Sequence, residues 1–443
     1  MLHRRTARAL SVLALIVFLA PANSSATEAT ARRRAQALLS RVVATRAAAG
    51  SLPGLVIVRD NRTLASRNSG VAMRPASLMK LFVTTAAMIK FGPDHRFTTR
   101  VTGVHPDIAG VVGGHLTLVG GGDPTLATHA YRSKFLVSKR GFRAGQTIFT
   151  EHTATIERLA ARVFNAGVRR VSGDLVVDDF LFDARRIQAG WRSSYLNTST
   201  GGPHVGLITA LPVNEGFANL RRTAVTRDPA GYAGALFRRA LAARGIAIDG
   251  VVRRGRAAPG AATLARYESP RLVELTTWTN RWSENYPAEI LLKSLGAAFG
   301  DRGTTAEGAR VVRSTLTAAG IDVSGLSIHD GSGLSLYDRA TPRSLASLIR
   351  FVLRDDISGA RLRPGFPVAR RPGTLLLRTG LDPVRGNLRG KTGLITGVRG
   401  MAGWVTASDG RVLVYVGLFN RARSPLALTP TLDMLGVGLH RVT

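Results

Sequence analysis

The sequence predicts an α/β (α+β) protein, an antiparallel sheet flanked by helices and interrupted by a β-rich inserted region. Three observations predict it. An apolar strand and its return precede a strongly apolar helix within residues 55–91. Short β-like runs split by Gly and Pro fill residues 94–264. Helices then resume at residue 272, and three closing strands follow, two of them joined by Asp409-Gly410, a strong hairpin signal. Residues 27–93 and 265–443 therefore read as one discontinuous domain around an insertion of 94–264.

Residues 1–26 read as an export signal. His3, Arg4, Arg5 and Arg8 form a basic start, and residues 9–20 (ALSVLALIVFLA) an apolar centre. Ala20-Pro21-Ala22 and Ser24-Ser25-Ala26 are both suitable cleavage sites. The apolar run is short for a membrane span, and an uncleaved N-terminal anchor is the alternative. Either way the protein is expected to be exported, to the periplasm or the cell wall.

The remaining elements follow from periodicity and punctuation. Residues 31–49, Ala-rich and basic, predict one helix. Residues 55–60 (LVIVRD) predict a strand, Asn61-Arg62 a turn, and 63–68 the returning strand. In residues 74–91 (RPASLMKLFVTTAAMIKF), Leu78, Leu81, Phe82, Met88 and Ile89 recur at helical spacing, with Gly92-Pro93 as the stop. Strands are expected at 97–103, 115–119 and 171–178, and a helix at 150–166. Gly120-Gly121-Gly122-Asp123-Pro124 fits no phosphate-loop spacing and reads as a tight turn. A Pro/Gly/Ala-rich piece at 259–262 marks a boundary. Helices follow at 272–279, at 287–299 with Pro287 in the first helical position, at 305–319 and at 343–354. Strands are expected at 388–396, 399–407 and 411–419. No internal repeat is present.

Composition narrows the chemistry. The 443 residues, 45% of them hydrophobic, can bury more than one core. With no cysteine there is no disulfide, thiolate zinc site or cysteine nucleophile. The nine histidines are scattered, and Glu151-His152 lacks the second histidine of H-E-x-x-H, so no metal and no cofactor is expected. A net charge of +33, carried by dispersed arginine, suits an anionic surface outside the cell, either wall polymers or lipid headgroups. Nucleic acid is not expected as the partner of an exported chain.

Three short motifs carry the chemistry. Ser77 and Lys80 are one helical turn apart, in S-x-x-K. Ser283-Glu284-Asn285 is S-x-N just ahead of a helix, and Lys391-Thr392-Gly393 is K-T-G on a strand. Lysine occurs only six times; only Lys80 has a serine three residues before it, and only Lys391 begins K-T-G. A second S-x-N at Ser66 precedes Ser77 and is out of order. The residue types suit acyl transfer. Ser77 is the nucleophile and needs an adjacent base. Lys80 serves if burial and the cation Lys391 lower its pKa below ~10.4. Ser283 can relay a proton between Lys80 and the leaving amine, and Asn285 can hold Lys80 and the substrate amide. Lys391 and Thr392 can bind a terminal carboxylate, and Gly393 lets substrate lie close to the strand. The N–H groups of Ser77 and Leu394 form an oxyanion hole. There is no G-x-S-x-G, which argues against a Ser-His-Asp hydrolase of the α/β type.

The ordered motifs are those of penicilloyl-serine transferases. With PASLMK at 75–80, GGGDPTL at 120–126, SENYPAE at 283–289, DGSGLS at 330–335, GTLLLR at 373–378 and GKTG at 390–393, the chain resembles the low-molecular-mass class C penicillin-binding proteins. These are D-alanyl-D-alanine carboxypeptidases/endopeptidases. The resemblance covers nearly the whole mature chain, and the long interval from Lys80 to Ser283 fits that family. It implies a β-lactamase/transpeptidase-like fold, removal of the terminal D-alanine from peptidoglycan stem peptides, and acylation of Ser77 by β-lactams. It leaves open cleavage of peptide crosslinks. The family's arginine after DGSGLS is replaced by Leu336, with Arg339 further on. The alternatives are a β-lactamase or a catalytically weak wall-binding protein of the same fold.

Overall fold

The computed structural model describes residues 22–136, 149, 153–196 and 203–442. The expected export segment lies outside these up to residue 21; from Ala22 the chain is helical. That helix, Ala22–Val43, starts earlier than expected and gives way to a 3-10 turn at Arg46–Ala48.

Strands β1 (Leu52–Arg59) and β2 (Arg62–Arg67) form an antiparallel hairpin. Its turn is Asp60-Asn61, one residue before the expected pair. Both have positive φ, +47° and +67°, the twist that a two-residue hairpin needs. The 3-10 turn Ala76–Leu78 then leads into the helix Met79–Phe91, which ends where Gly92 takes φ +80°.

The middle of the chain holds β3 (Thr98–Gly103), β4 (Val111–Val112), β5 (Leu116–Val119), β6 (Arg170–Val171), β7 (Leu175–Asp178), β8 (Ala247–Ile248), β9 (Val252–Arg254) and β10 (Ala262–Glu268). These make a five-stranded sheet, β10-β3-β5-β7-β9, and a small parallel sheet, β4-β6-β8. The single strand expected at 171–178 is broken by Ser172-Gly173-Asp174, and its halves enter different sheets. Strands β5, β7 and β9 run parallel, which requires crossovers. The helices Ile156–Asn165 and Pro229–Ala242 provide them, and bury Leu159, Val163, Phe237 and Leu241 against the sheet. The first of these helices is shorter than the expected 150–166, of which residues 150–152 lie outside the described ones. Strand β10 pairs with β3 from Ala262 to Glu268 and so runs through residue 264.

The helices Leu272–Trp282, Asn285–Phe299, Thr305–Ala318 and Pro342–Arg354 follow. Pro287 is the third residue of its helix, not the first; Asn285 opens it, because Ser283 with φ +64° turns the chain sharply between the two helices. Strands β11 (Arg389–Ile395), β12 (Val398–Thr406) and β13 (Val412–Asn420) and the helix Thr429–Leu439 complete the chain.

The main sheet, β11-β12-β13-β1-β2, is antiparallel throughout. Strand β1 lies against β13, from Leu52 opposite Asn420 to Arg59 opposite Leu413. The two ends of the sequence thus build one sheet, and the middle strands leave and return between them. Helices cover both faces. Val56, Val58, Ala402 and Val416 face the cluster that includes the Met79–Phe91 helix, while Leu55, Ile57, Met401 and Tyr415 face the first and last helices. Burial on both sides explains why these strands read as continuous apolar runs.

Candidate active site

The three motifs converge at the edge of the main sheet. Ser77 sits in the 3-10 turn before the Met79–Phe91 helix, directly after Ala76, whose φ of +50° is costly for a residue with a Cβ. Two glycines let other backbone close on this turn. A Cβ on Gly333 would lie 1.9 Å from Ala76 O, and one on Gly393 2.9 Å from Pro75 O. The absent side chain of Gly393 therefore faces protein, not the cleft. It lets β11 approach the Ser77 turn, and the expectation that it makes room for substrate is corrected.

Lys80 is fully buried and meets three acceptors. Its Nζ donates to Ser77 Oγ at 2.9 Å, Asn285 Oδ1 at 2.7 Å and the Ser332 carbonyl at 2.6 Å. A neutral amine has two hydrogens and one lone pair. Donation to Asn285 and Ser332 then leaves the lone pair for the Ser77 hydroxyl. Burial lowers the Lys80 pKa to about 8, while Asp330, Glu289, Glu284 and Asp338 pull it upward. Lys391 is not among the groups that lower it; the effect runs the other way, since burial and then the charge of Lys80 hold Lys391 well below its usual value.

Lys391 Nζ donates to Ser283 Oγ at 2.7 Å and to the Thr392 carbonyl at 2.8 Å. Ser283 is thus bonded to Lys391, and Lys80 to Ser77, Asn285 and Ser332. Asn285 Nδ2 donates to the His204 carbonyl at 2.9 Å, so this amide is already engaged on both sides. Thr392 Oγ1 donates to Thr374 Oγ1 at 3.1 Å. Leu394, directly after K-T-G, is exposed.

Motif spacing did not reveal the support beneath Lys80. Glu289 lies one turn after Asn285 on the same helix and accepts from Gly331 N at 3.0 Å and Ser332 N at 2.7 Å. Asp330 accepts from Gly333 N and Ser335 N, both at 2.6 Å, and from Trp191 Nε1 at 2.7 Å. Asp338 accepts from His329 N at 2.7 Å. All three carboxyls are buried. Burial, then Asp330, raises Glu289 to about 8 and drives Asp338 well above the carboxylate range. The only sequence signal was the DGSGLS string, an acid among small residues; its fold was not readable from spacing.

Residues 35–224 and 210–430 match the D-Ala-D-Ala carboxypeptidase 3 (S13) family. The chain belongs to this family. It is a serine-type D-Ala-D-Ala carboxypeptidase, a peptidoglycan hydrolase of the penicillin-binding type. It is 28% identical over 474 residues to a D-alanyl-D-alanine carboxypeptidase of Actinomadura sp. (strain R39), covering 88% of this chain and 81% of that one. It is 29% identical over 363 residues to carboxypeptidase DacB of Mycolicibacterium smegmatis, covering 80% and 72%. In fold it is similar to penicillin-binding protein 4 of Haemophilus influenzae, with a TM-score of 0.73 at 22% identity, over 91% of this chain and 99% of that one. A structure of that protein complexed with a β-lactam gives 0.69 at 22% identity, over 89% and 98%. The α/β class and the antiparallel sheet flanked by helices stand as expected.

Proposed function

We propose that Ser77 attacks the carbonyl between the last two D-alanines of a peptidoglycan stem peptide. Lys80 takes the hydroxyl proton, the Ser77 Oγ–carbon bond forms and the amide C–N bond breaks. The proton then returns from Lys80 by way of Ser283, whose hydroxyl Lys391 holds, to the departing amine. Lys391 and Thr392 receive the carboxylate of the departing D-alanine, and the N–H groups of Ser77 and Leu394 hold the carbonyl oxygen. Water then cleaves the acyl-enzyme ester. The observation that carries this reading is the buried Lys80 amine 2.9 Å from Ser77 Oγ. β-Lactams would acylate Ser77 and remain there.

The same reading takes residues 1–26 as an export signal and places the protein outside the cytoplasm. Among the described residues no helix is long and apolar enough to cross a membrane. The charge of +33 supports attraction to anionic wall polymers or a membrane surface. The insertion is taken as a β-rich domain of residues 94–264; its sheets build one core, while Tyr131, Phe182, Ile208 and Phe217 join the core around the Met79–Phe91 helix.

Incubation with a fluorescent penicillin, followed by digestion and mass mapping, tests the reading. One adduct on the peptide bearing Ser77 is expected. A stable protein that takes no label would remove the acyl-enzyme and favour a wall-binding role. Rapid turnover of the penicillin would favour a β-lactamase.

The pH dependence follows from Lys80. It must be neutral to act as a base, and burial sets its pKa at about 8. Acylation is expected to rise with pH, reaching half its limit near that value and falling about tenfold per unit below it. Stopped-flow acylation from pH 5 to 9 measures this. A rate independent of pH across that span would show that Lys80 does not titrate in the step.

A further inference from the structure

A second cationic site adjoins the first. Arg281, Arg363, Arg371 and Arg389, with Pro364, Phe366 and Pro372, line a groove of about 430 Å³ that has no carboxylate in its walls. Arg363 pairs with Asp356 at 3.8 Å, outside the groove. Arg281 spends two of its donors on the Pro364 carbonyl. Among the described residues Arg281, Arg371 and Arg389 make no ion pair, and Arg371 is exposed. Burial, and then the charge of Arg389, hold Arg281 below its usual pKa. Three close arginines without a counter-ion form a site for an anion.

The groove lies beside the proposed catalytic residues in the chain and on the strand. Arg389 lies two residues before Lys391 on β11, on the same face of the strand. Arg281 is two residues before Ser283. Thr374 joins the two sides: its N donates to the Arg281 carbonyl at 3.2 Å, and its hydroxyl accepts from Thr392 at 3.1 Å.

Direction along β11 identifies what would lie there, and this step rests on the reading above. In that reading Leu394 holds the carbonyl that is attacked, and Thr392 and Lys391 hold the residue that departs. Moving from 394 to 391 therefore runs from the scissile bond into the departing chain. Arg389 comes next, about 7 Å beyond Lys391 at ~3.4 Å per residue. A single departing D-alanine ends at Lys391. Pro367, Val368 and Ala369 pair with β11 from Leu388 to Gly390, so a longer departing chain leaves the strand edge there and is directed over the Arg389 side chain toward the groove.

We propose that the groove of Arg281, Arg371 and Arg389 binds the leaving group of a crosslink cleavage, and that it selects departing peptides that carry carboxylates beyond the scissile bond. The chemistry is the same acyl transfer. The amide C–N bond breaks, the ester to Ser77 forms, and the proton from Ser77 ends on the departing amine, which here belongs to a second stem peptide. Guanidinium pairs would hold that peptide's carboxylates until it leaves.

The test compares two substrates on the full chain. One is a short peptide ending in D-Ala-D-Ala, which releases one D-alanine. The other is a crosslinked stem-peptide dimer, which releases an acidic peptide. The readout is the ratio of kcat/KM for the dimer to that for the short peptide. Arg371→Glu is expected to lower this ratio roughly tenfold, mainly through the KM for the dimer, and Arg371→Lys to retain most of it. Arg389→Gln should act in the same direction; if it fails to fold, the exposed Arg371 carries the test. Added salt should lower the ratio for the wild type. A ratio unchanged in Arg371→Glu, or a wild type that releases D-alanine but leaves the dimer intact, overturns the groove and spares the carboxypeptidase reading. A wild type that acts on neither substrate overturns the catalytic reading itself.

Discussion

Replacing Lys80 by arginine is expected to slow acylation of Ser77 about 10³-fold, although the positive charge is kept. Removal of a positioned general base costs roughly 10² to 10⁴ in rate, and three features of this site place the loss within that range. Arginine stays protonated at every working pH, so it cannot accept the Ser77 proton. The guanidinium is also planar and larger than an ammonium, and this pocket leaves no space for it. Lys80 is fully buried, and its Nζ already meets Ser77, Asn285 and Ser332 within 2.9 Å. Finally, the low pKa of about 8 comes from burial, which arginine answers by distorting the site, not by losing its proton. Stopped-flow acylation by a chromogenic penicillin measures the rate, and circular dichroism shows whether the variant is folded. A folded Lys80→Arg protein that acylates within about tenfold of wild type would assign the proton to another base.

The elements that sequence pattern revealed are those whose own side chains decide their state. The Met79–Phe91 helix is mostly apolar, buried from Met79 to Met88, and bounded by Pro75 and Gly92. The closing hairpin is fixed by Asp409-Gly410. The three motifs were legible for another reason: acyl transfer constrains residue type and order, and Ser77, Lys80, Ser283, Asn285, Lys391 and Thr392 do meet in one cleft. What was not legible depends on who meets whom. That Ser283 bonds Lys391 rather than Lys80 follows from the left-handed turn at Ser283, which one serine in a string does not reveal. That Gly393 makes room for the Ser77 turn follows from packing between a strand and a turn more than 300 residues apart. The parallel strands of the insertion are each only a few residues long, and their pairing is non-local. Their alternation indicated β structure but carried no information on direction. The carboxyls of Glu289, Asp330 and Asp338 look like surface acids in the sequence and are buried only because the 330–335 loop folds over the Asn285–Phe299 helix.

That loop bears the second large effect. Asp330→Ala is expected to lower the unfolding free energy by about 3–5 kcal/mol, the range for removing one member of a buried charged network. The Asp330 carboxylate is the acceptor for Gly333 N, Ser335 N and Trp191 Nε1, all within 2.7 Å and all inside the protein. Alanine leaves three buried donors without partners, at roughly 1–3 kcal/mol each before relaxation. The loop they hold carries the Ser332 carbonyl to Lys80, so acylation should fall as well. A purely structural part for Asp330 would change stability and rate but not the pH at which the rate turns. The charge of Asp330 is the leading influence that raises the Lys80 pKa against burial. Without it, Lys80 loses its proton more readily, and the acid limb of acylation moves to lower pH in the molecules that remain folded. Thermal unfolding and the pH profile are therefore read together, below the melting midpoint of the variant. A midpoint within about 2 °C of wild type would show that the three donors find other partners. A lowered midpoint with an unmoved acid limb would leave Asp330 as the clasp of the loop and assign the tuning of Lys80 to Glu289, which touches the same loop from the helix below.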